Sequence, residues 1–337
     1  VKIDPLLEIR TIAGLRPFRS SGFVVRREDH AGKILVHNYG HGGGGVTLSW
    51  GSAELAVRLA GDLSGVSCGV IGGGIMGLST ARLLQLRGAN VTIHTAALPP
   101  DTTSNVAGAQ WWPFSVFDND RRTEEFGRQY VEAATFSYHY FQRLVGPKMG
   151  VSWLPNYYLS DDPPRNGWIS GPGGVLHSMQ VGFRDFGPGE HVFPSNHVRR
   201  FDTMMIEPSI YLPELLAEVQ GAGARIVVEK MGSMEQILSL PHAVLFNCTG
   251  LGARELCNDL ELIPIKGQLS FMRPQPEVNY NLITDELYMF PRTDGILLGG
   301  TYEKNRWDTA PDLMQRDRII AAHRAVFQAM AEIQEKG

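Results

Sequence analysis

A chain of 337 residues, 43% hydrophobic and 20% charged, is long enough to bury two cores and has the composition of a soluble globular enzyme. Its net charge of −4, its pI near 6.2 and its scattered charges exclude an electrostatic nucleic-acid binder, and no run approaches the roughly 18 to 20 apolar residues of a membrane span. Cys68, Cys248 and Cys257 cannot all pair and show no metal-ligand spacing, so a reducing setting without a metal is expected. With no secretory leader and no peroxisomal tripeptide read at the ends, cytoplasm is the default expectation.

In chain order, a loop leads into a strand near Arg16, and 22–27 with 33–37 read as a hairpin pair. A glycine-rich loop follows, His37-Asn38-Tyr39-Gly40-His41-Gly42-Gly43-Gly44-Gly45, and then an amphipathic helix over 52–63 with Leu55, Leu59 and Leu63 on one face. A short polar linker at 64–67 joins this helix to the buried strand 67–71. That strand breaks into Gly72-Gly73-Gly74-Ile75-Met76-Gly77, a Gly-x-Gly-x-x-Gly turn, ahead of helical spacing over 78–86 and an alternating strand over 90–95. In such a turn Gly72 allows the tight bend, Gly74 lets the backbone approach a pyrophosphate and Gly77 lets helix pack on strand. The helix N-terminus then supplies N–H groups and positive dipole, so a bound dinucleotide is expected. The acid that many dinucleotide folds place about 20 residues later to hold ribose is missing, because the next strand ends His94-Thr95-Ala96.

A long helix over 123–145 precedes a Pro- and Gly-studded, strand-rich region over 151–201. A helix over 208–219 and strands over 225–229 and 243–248 resume the α/β pattern. Antiparallel strands over 265–272, 287–291 and 296–302 follow, with a closing helix over 311–334 and no internal repeat. The fold class expected is therefore α/β: a Rossmann-like nucleotide-binding domain, discontinuous over 14–120 and 200–268, interleaved with an α+β substrate domain on a large antiparallel or mixed sheet over 1–13, 121–199 and 269–337.

Together these motifs resemble the D-amino acid oxidase family of FAD-dependent oxidoreductases over nearly the whole chain. Thr102 to Phe114 is similar to its flavin-embracing segment, Asn247-Cys248-Thr249-Gly250 to its second flavin-domain strand end, and Lys266-Gly267-Gln268 to the basic-Gly-Gln turn that follows. Leu298-Gly299-Gly300-Thr301 is similar to a strand bordering its substrate pocket. Gly14 to Arg19, His37 to Gly45 and Trp50-Gly51 resemble its C-terminal signature. In the family that signature closes the chain and the dinucleotide turn opens it. Here the order is reversed, so the chain resembles a circular permutation spliced near 63–67, with Val1 and Gly337 expected near each other on the antiparallel-sheet domain.

The resemblance implies FAD as cofactor. It implies that FAD is held by Gly72, Gly74, Ile75, Met76, Gly77, Thr95, Thr102, Thr103, Ser104, Ala107, Gly108, Ala109, Gln110, Trp111, Met231, Thr249 and Gly250, and by Gly42, Gly43, Gly44, Gly45, Val46 and Thr47, whose N–H groups would face developing charge on the flavin. Arg16 would grip the substrate carboxylate with its planar fork, Tyr288 would donate to the other oxygen, and the Gly43 carbonyl would face the amine. No side chain is needed as a base. His41 reads as a structural histidine bonded to backbone and Arg19 as an ordinary surface salt bridge, and Thr284 stands where many members carry a tyrosine, with too few residues between Gln268 and Tyr288 for a long lid. The expected activity is oxidative deamination of a D-amino acid with O2 to 2-oxo acid, ammonia and hydrogen peroxide, with no nucleic-acid or membrane partner and a homodimer left open. Alternatives are a D-aspartate oxidase using Arg292 or Lys304 as an extra cation, a glycine or sarcosine-type oxidase, and a non-catalytic flavin-binding protein.

Overall fold

A computed structural model of the chain describes residues 1–30 and 32–336. The elements run β1 (Glu8–Phe18), β2 (Val24–His30), β3 (Lys33–Tyr39), α1 (Gly45–Leu59), β4 (Ser67–Ile71), α2 (Ile75–Leu86), β5 (Asn90–Thr95) and α3 (Glu124–Gln142). Then come β6 (Val151–Ser160), β7 (Val181–Phe186), β8 (His197–Ile206), α4 (Pro208–Gly221), β9 (Arg225–Val228), α5 (Met234–Ser239), β10 (Val244–Asn247) and α6 (Ala253–Leu256). The chain continues through β11 (Ile263–Met272), β12 (Asn281–Ile283), β13 (Tyr288–Arg292), β14 (Gly295–Gly299), β15 (Glu303–Lys304) and α7 (Leu313–Lys336). They form two compact units, one of 15–151 and 208–265, the other of 1–14, 152–207 and 266–337.

The first unit is built on a six-stranded sheet in the order β2-β3-β10-β4-β5-β9. All of its strands are parallel except β2, which pairs antiparallel with β3, Val24 opposite Tyr39, as the expected hairpin. The parallel strands carry the near-continuous apolar runs that burial on both faces demands: Leu35 and Val36, Cys68 and Val70, Leu245 and Phe246 are all inaccessible to solvent. Helices α1 and α2 pack against one another, and α3 packs on α1. Gly51 makes that last approach close, since a Cβ there would lie 1.8 Å from the Ala133 carbonyl oxygen. The contact with α1 explains why 121–151 belongs to this unit rather than to the other, where sequence reading put it. Helix α1 also begins seven residues earlier than its amphipathic pattern suggests: the glycine run, poor in helix propensity, is itself the first turn because Gly42 and Gly44 are buried where a side chain would not fit.

The second unit centres on a nine-stranded mixed sheet in the order β1-β11-β14-β13-β12-β6-β8-β7, with β15 on β11. Pairings from β11 through β12 are antiparallel, and β12 runs parallel to β6. Residues 200–206 complete β8 here, which with Glu207 moves them out of the nucleotide-binding domain expected from sequence. Of the strand-rich stretch 151–201, only β6, β7 and the start of β8 are extended; the Pro- and Gly-rich remainder is irregular. Helix α7 covers one face, packing Ile319, Ile320 and Phe327 with Leu282, Met289 and Leu298. Val1 joins that cluster, and Arg324 Nε donates to the Ile3 carbonyl at 2.9 Å. The position expected for Gly337 lies outside the described residues. Among the described residues no helix is long and apolar enough to cross a membrane, and no group of three or more His, Cys, Asp or Glu could hold a metal ion.

Candidate cofactor and substrate site

The turn after β4 has the geometry that its glycines announce. Gly72 sits at φ +118°, donates its N–H to the His94 carbonyl at 2.8 Å, and has no room for a side chain: a Cβ would fall 2.4 Å from the Cys248 carbonyl oxygen. A Cβ on Gly77 would lie 1.9 Å from the Gly72 carbonyl oxygen, which is the helix-on-strand approach expected of the third glycine. A Cβ on Gly74, in contrast, would meet only the Ser104 hydroxyl oxygen, at 3.1 Å. The start of α2 is thus a cradle of bare backbone with helix polarity suited to an anion, and it fits a pyrophosphate.

Parallel pairing sets where the other turns fall. Because β3 pairs with β10 and β10 with β4, all in parallel, the three strands end at one edge of the sheet. The stretch His41 to Gly45 after β3, Cys248 to Gly250 after β10, and Gly72 to Gly77 after β4 therefore lie side by side, at the carboxyl ends where open α/β sheets bind ligands. Both glycine clusters belong to one edge.

The segment 102–116 closes over that edge. The Ser104 hydroxyl accepts the Ile75 N–H at 3.0 Å, Thr102 Oγ1 donates to Asn105 at 2.8 Å, and the Gly43 N–H donates to the Ser115 carbonyl at 2.9 Å. Helix α3 steadies it from behind, with Tyr130 hydroxyl on the Pro113 carbonyl at 2.9 Å and buried Trp111 edge-on to Tyr138. One expectation narrows. The Gly43 N–H is taken by Ser115 and the Gly44 N–H by the His41 carbonyl at 3.0 Å, so of the glycine run and first helical turn only Gly42, Gly45, Val46 and Thr47 remain as donor candidates toward a flavin; the Gly43 carbonyl is unaffected.

Thr95, offered for the adenosine end, donates its hydroxyl to the Ala97 carbonyl at 2.7 Å, a local turn that spends the proton. Met231 packs in a core cluster with Ile71 and Leu245. An acid does stand beside Thr95: Glu229, just past β9, donates its backbone N–H to the Thr95 carbonyl at 2.7 Å, a neighbour that motif spacing along a single strand could not disclose. Thr249 is fixed through its hydroxyl to Asn247 Oδ1 at 2.7 Å, with Gly250 at φ +57°.

Arg16 lies half-buried on β1, two residues before Phe18, which is bridged to His41; Arg16 and Gly43 are thereby members of one unit. Arg19 is structural as expected, though hardly on the surface, pairing with Asp259 and Glu261 at 2.8 Å each. Burial pushes the Cys257 thiol up to about 11 and Cys68 and Cys248 up to about 12, so none is a ready nucleophile. His41 is structural, but through a side chain rather than backbone: its ring stacks on Phe23, with centroids 4.6 Å apart, and Nε2 meets the Ser52 hydroxyl at 2.6 Å.

Tyr288 belongs to the other unit. Its ring lies over Gly299, where a Cβ would come within 2.1 Å, and stacks on Phe290; its carbonyl faces His323 Nε2 at 3.2 Å. Thr284 caps the four-residue turn between β12 and β13, its hydroxyl accepting from Glu286 and Leu287 at 3.2 and 3.0 Å, so the connection is a tight hairpin rather than a lid. Arg292 is held by Asp294 at 2.7 and 2.8 Å, and Lys304 is exposed. Asn38 lies within the signature His37 to Gly45 without a role of its own read from it, and Ser52, Thr80 and His323 carry no sequence signal beyond being single polar residues among apolar ones.

Residues 68–336 match the family described as FAD dependent oxidoreductase. A D-amino acid oxidase of Dugesia ryukyuensis is 27% identical over 276 residues, 78% of each chain, and one of Rubrobacter xylanophilus is 29% identical over 259 residues, 74% of each. The crystal structure of glycine oxidase from Geobacillus kaustophilus superposes with a TM-score of 0.59 at 12% identity, covering 79% of this chain and 80% of that one, a likeness of fold.

Proposed function

The chain belongs to the family of FAD-dependent oxidoreductases, and from that premise we propose that it oxidises D-amino acids at the Cα–N bond, releasing an imino acid that water converts to 2-oxo acid and ammonia while O2 becomes hydrogen peroxide. The observation that carries this reading is the alignment of three turns at one sheet edge, after β3, β10 and β4, beside relatives named D-amino acid oxidases. FAD, when bound, accepts the hydride; the chain's own task is to hold and aim. Gly72, Gly74 and Gly77 leave bare backbone for the pyrophosphate. Ser104 and the segment behind it cover the cofactor.

Arg16 receives the substrate carboxylate, where a guanidinium offers two parallel donors in a fixed plane. The Gly43 carbonyl, in the same unit as Arg16, accepts from the amine. Two anchors on one small molecule aim its Cα–H, so that positioning supplies the rate without a side-chain base. A preference for D-aspartate would require another cation, and Arg292 offers little, since its guanidinium is already committed to Asp294. Anaerobic titration of the purified protein with D- and L-amino acids tests the proposal: bleaching of the flavin band by neutral D-amino acids alone is expected, and a band that no D-amino acid bleaches rejects it.

The reversed motif order is part of the proposal. Its support is that the family match begins at Cys68, in β4, while Arg16 and the His41 to Gly45 turn precede it. Moving residues 1–63 behind α7 is expected to leave FAD uptake intact, and a rearranged chain that folds yet takes up no FAD contradicts it.

A further inference from the structure

Helices α1 and α2 pack against one another and bury small and apolar residues, among them Ala53 and Ala56 on α1 and Leu78 and Ala81 on α2, which pack well yet resist sliding poorly. Through it runs a chain of polar groups with no solvent exposure to justify it. His41 Nε2 lies 2.6 Å from the Ser52 hydroxyl; Ser52 donates to Asn38 Oδ1; Asn38 Nδ2 donates to Thr80 Oγ1 at 3.3 Å; and Thr80 donates to the Met76 carbonyl at 2.7 Å. The donors run in a single sense. Since Ser52 gives its proton to Asn38, its oxygen accepts from Nε2–H of His41, and each hydroxyl and the amide then serve as both acceptor and donor. Thr80 Oγ1 also lies 3.6 Å from Cys248 Sγ at the end of β10.

The two ends of this chain matter more than its middle. His41 heads the Gly42–Gly44 turn that opens α1, and Met76 lies in the first turn of α2. We infer that His41, Ser52, Asn38 and Thr80 act as positioning residues that lock the α1 and α2 glycine turns into one register, so that both present backbone to the same FAD molecule. A displacement of either helix by one residue would leave buried donors and acceptors unmatched, a penalty that apolar packing alone does not impose. This inference rests on the reading that both turns hold FAD.

Apoprotein variants titrated with FAD, followed by quenching of flavin fluorescence, test it, with thermal unfolding of each apoprotein measured in parallel. Thr80→Val and Ser52→Ala break the chain at points joined only through Asn38, whereas Thr80→Ser restores the hydroxyl. Each break is expected to weaken FAD binding about fivefold or more, with Thr80→Ser near wild type, and the double variant to lose far less than the product of the two single losses. Should one variant fail to fold, the affinity of the other still decides. Variants that bind FAD like wild type, or whose losses multiply independently or merely follow a lowered apoprotein melting temperature, overturn the proposal. A wild-type apoprotein that takes up no FAD overturns the cofactor reading itself, and this inference with it.

Discussion

The hydroxyl oxygen of Ser104 accepts the backbone N–H of Ile75 at 3.0 Å, so a segment 29 residues downstream caps the first residue of α2. Helix α2 lacks a side-chain cap at its own N-cap residue, Gly74, and has no acid in its first turn. Gly74, proposed to leave room for a pyrophosphate, thus forgoes the usual Ser or Asp cap, and Ser104 replaces it from outside. Ser104→Ala is expected to cost about 1 kcal/mol, roughly fivefold in FAD affinity, because it leaves one helix donor unmatched and loosens the covering segment. Equal FAD dissociation constants for variant and wild type would reject the capping role.

Gly77→Ala adds a single methyl group, yet at 1.9 Å from the Gly72 carbonyl oxygen it has nowhere to go, since both partners are backbone. Relief requires α2 to lift from β4, which also moves the turn. Loss of at least about 2 kcal/mol of stability is expected, together with failure to retain FAD through gel filtration. Gly74→Ala, which meets only a hydroxyl at 3.1 Å, is expected to fold as well as wild type and to lose FAD selectively. The opposite ranking of the pair in apoprotein melting temperature would contradict these roles.

Burial holds His41 at about 3, far below its ordinary 6.5. The unfolded chain therefore binds a proton below 6.5 that the folded chain refuses, and stability falls with pH from 6.5 downward until about 3. At about 1.4 kcal/mol per pH unit, acidification to pH 5 removes about 2 kcal/mol through this residue alone. His37 and His323 are displaced in the same direction by burial and add to the trend. Melting temperatures of the apoprotein should drop between pH 7 and 5, and less so in His41→Gln, which keeps a donor for Ser52. A wild-type melting temperature independent of pH over that interval would refute the assignment.

The parts of this fold most legible in the sequence are those in which geometry leaves one residue type. Gly72 and Gly77 announce the β4–α2 turn because each is pressed against a carbonyl, and the strand-like runs 22–27 and 33–37, separated by a short polar stretch, announce the hairpin. What stayed hidden depends on partners distant in sequence. The glycine run reads as a loop by propensity, yet Gly42 to Gly44 form the turn that leads into α1 at Gly45, pressed there by Ser115, Phe114 and Val116. Arg292 looks like a free cation until Asp294 is seen across the β13–β14 turn. Helix α3 carries no mark of its unit; contact with Gly51 of α1 decides it. Ser52 and Thr80 are single polar residues on helices and Asn38 is one member of the signature motif, and only the folded chain joins the three.

Arg16 carries the most direct test of the substrate reading. A carboxylate bound in a site that excludes water draws much of its affinity and its orientation from a planar pair of donors, and neither an amide nor an ammonium reproduces that fork. Arg16→Gln is expected to lower kcat/KM by about 2–3 kcal/mol, roughly 30- to 150-fold, with both KM and kcat affected, because the group that anchors the substrate also aims its Cα–H. Arg16→Lys should recover part of the KM effect through charge while leaving kcat depressed, since a point charge attracts the carboxylate without fixing its rotation. FAD uptake should be unchanged in both variants, which separates a substrate role from a cofactor role. Steady-state kinetics with a neutral D-amino acid decide the matter: wild-type values in Arg16→Gln would remove this arginine from the substrate site, and loss of FAD in both variants would reassign it to the cofactor.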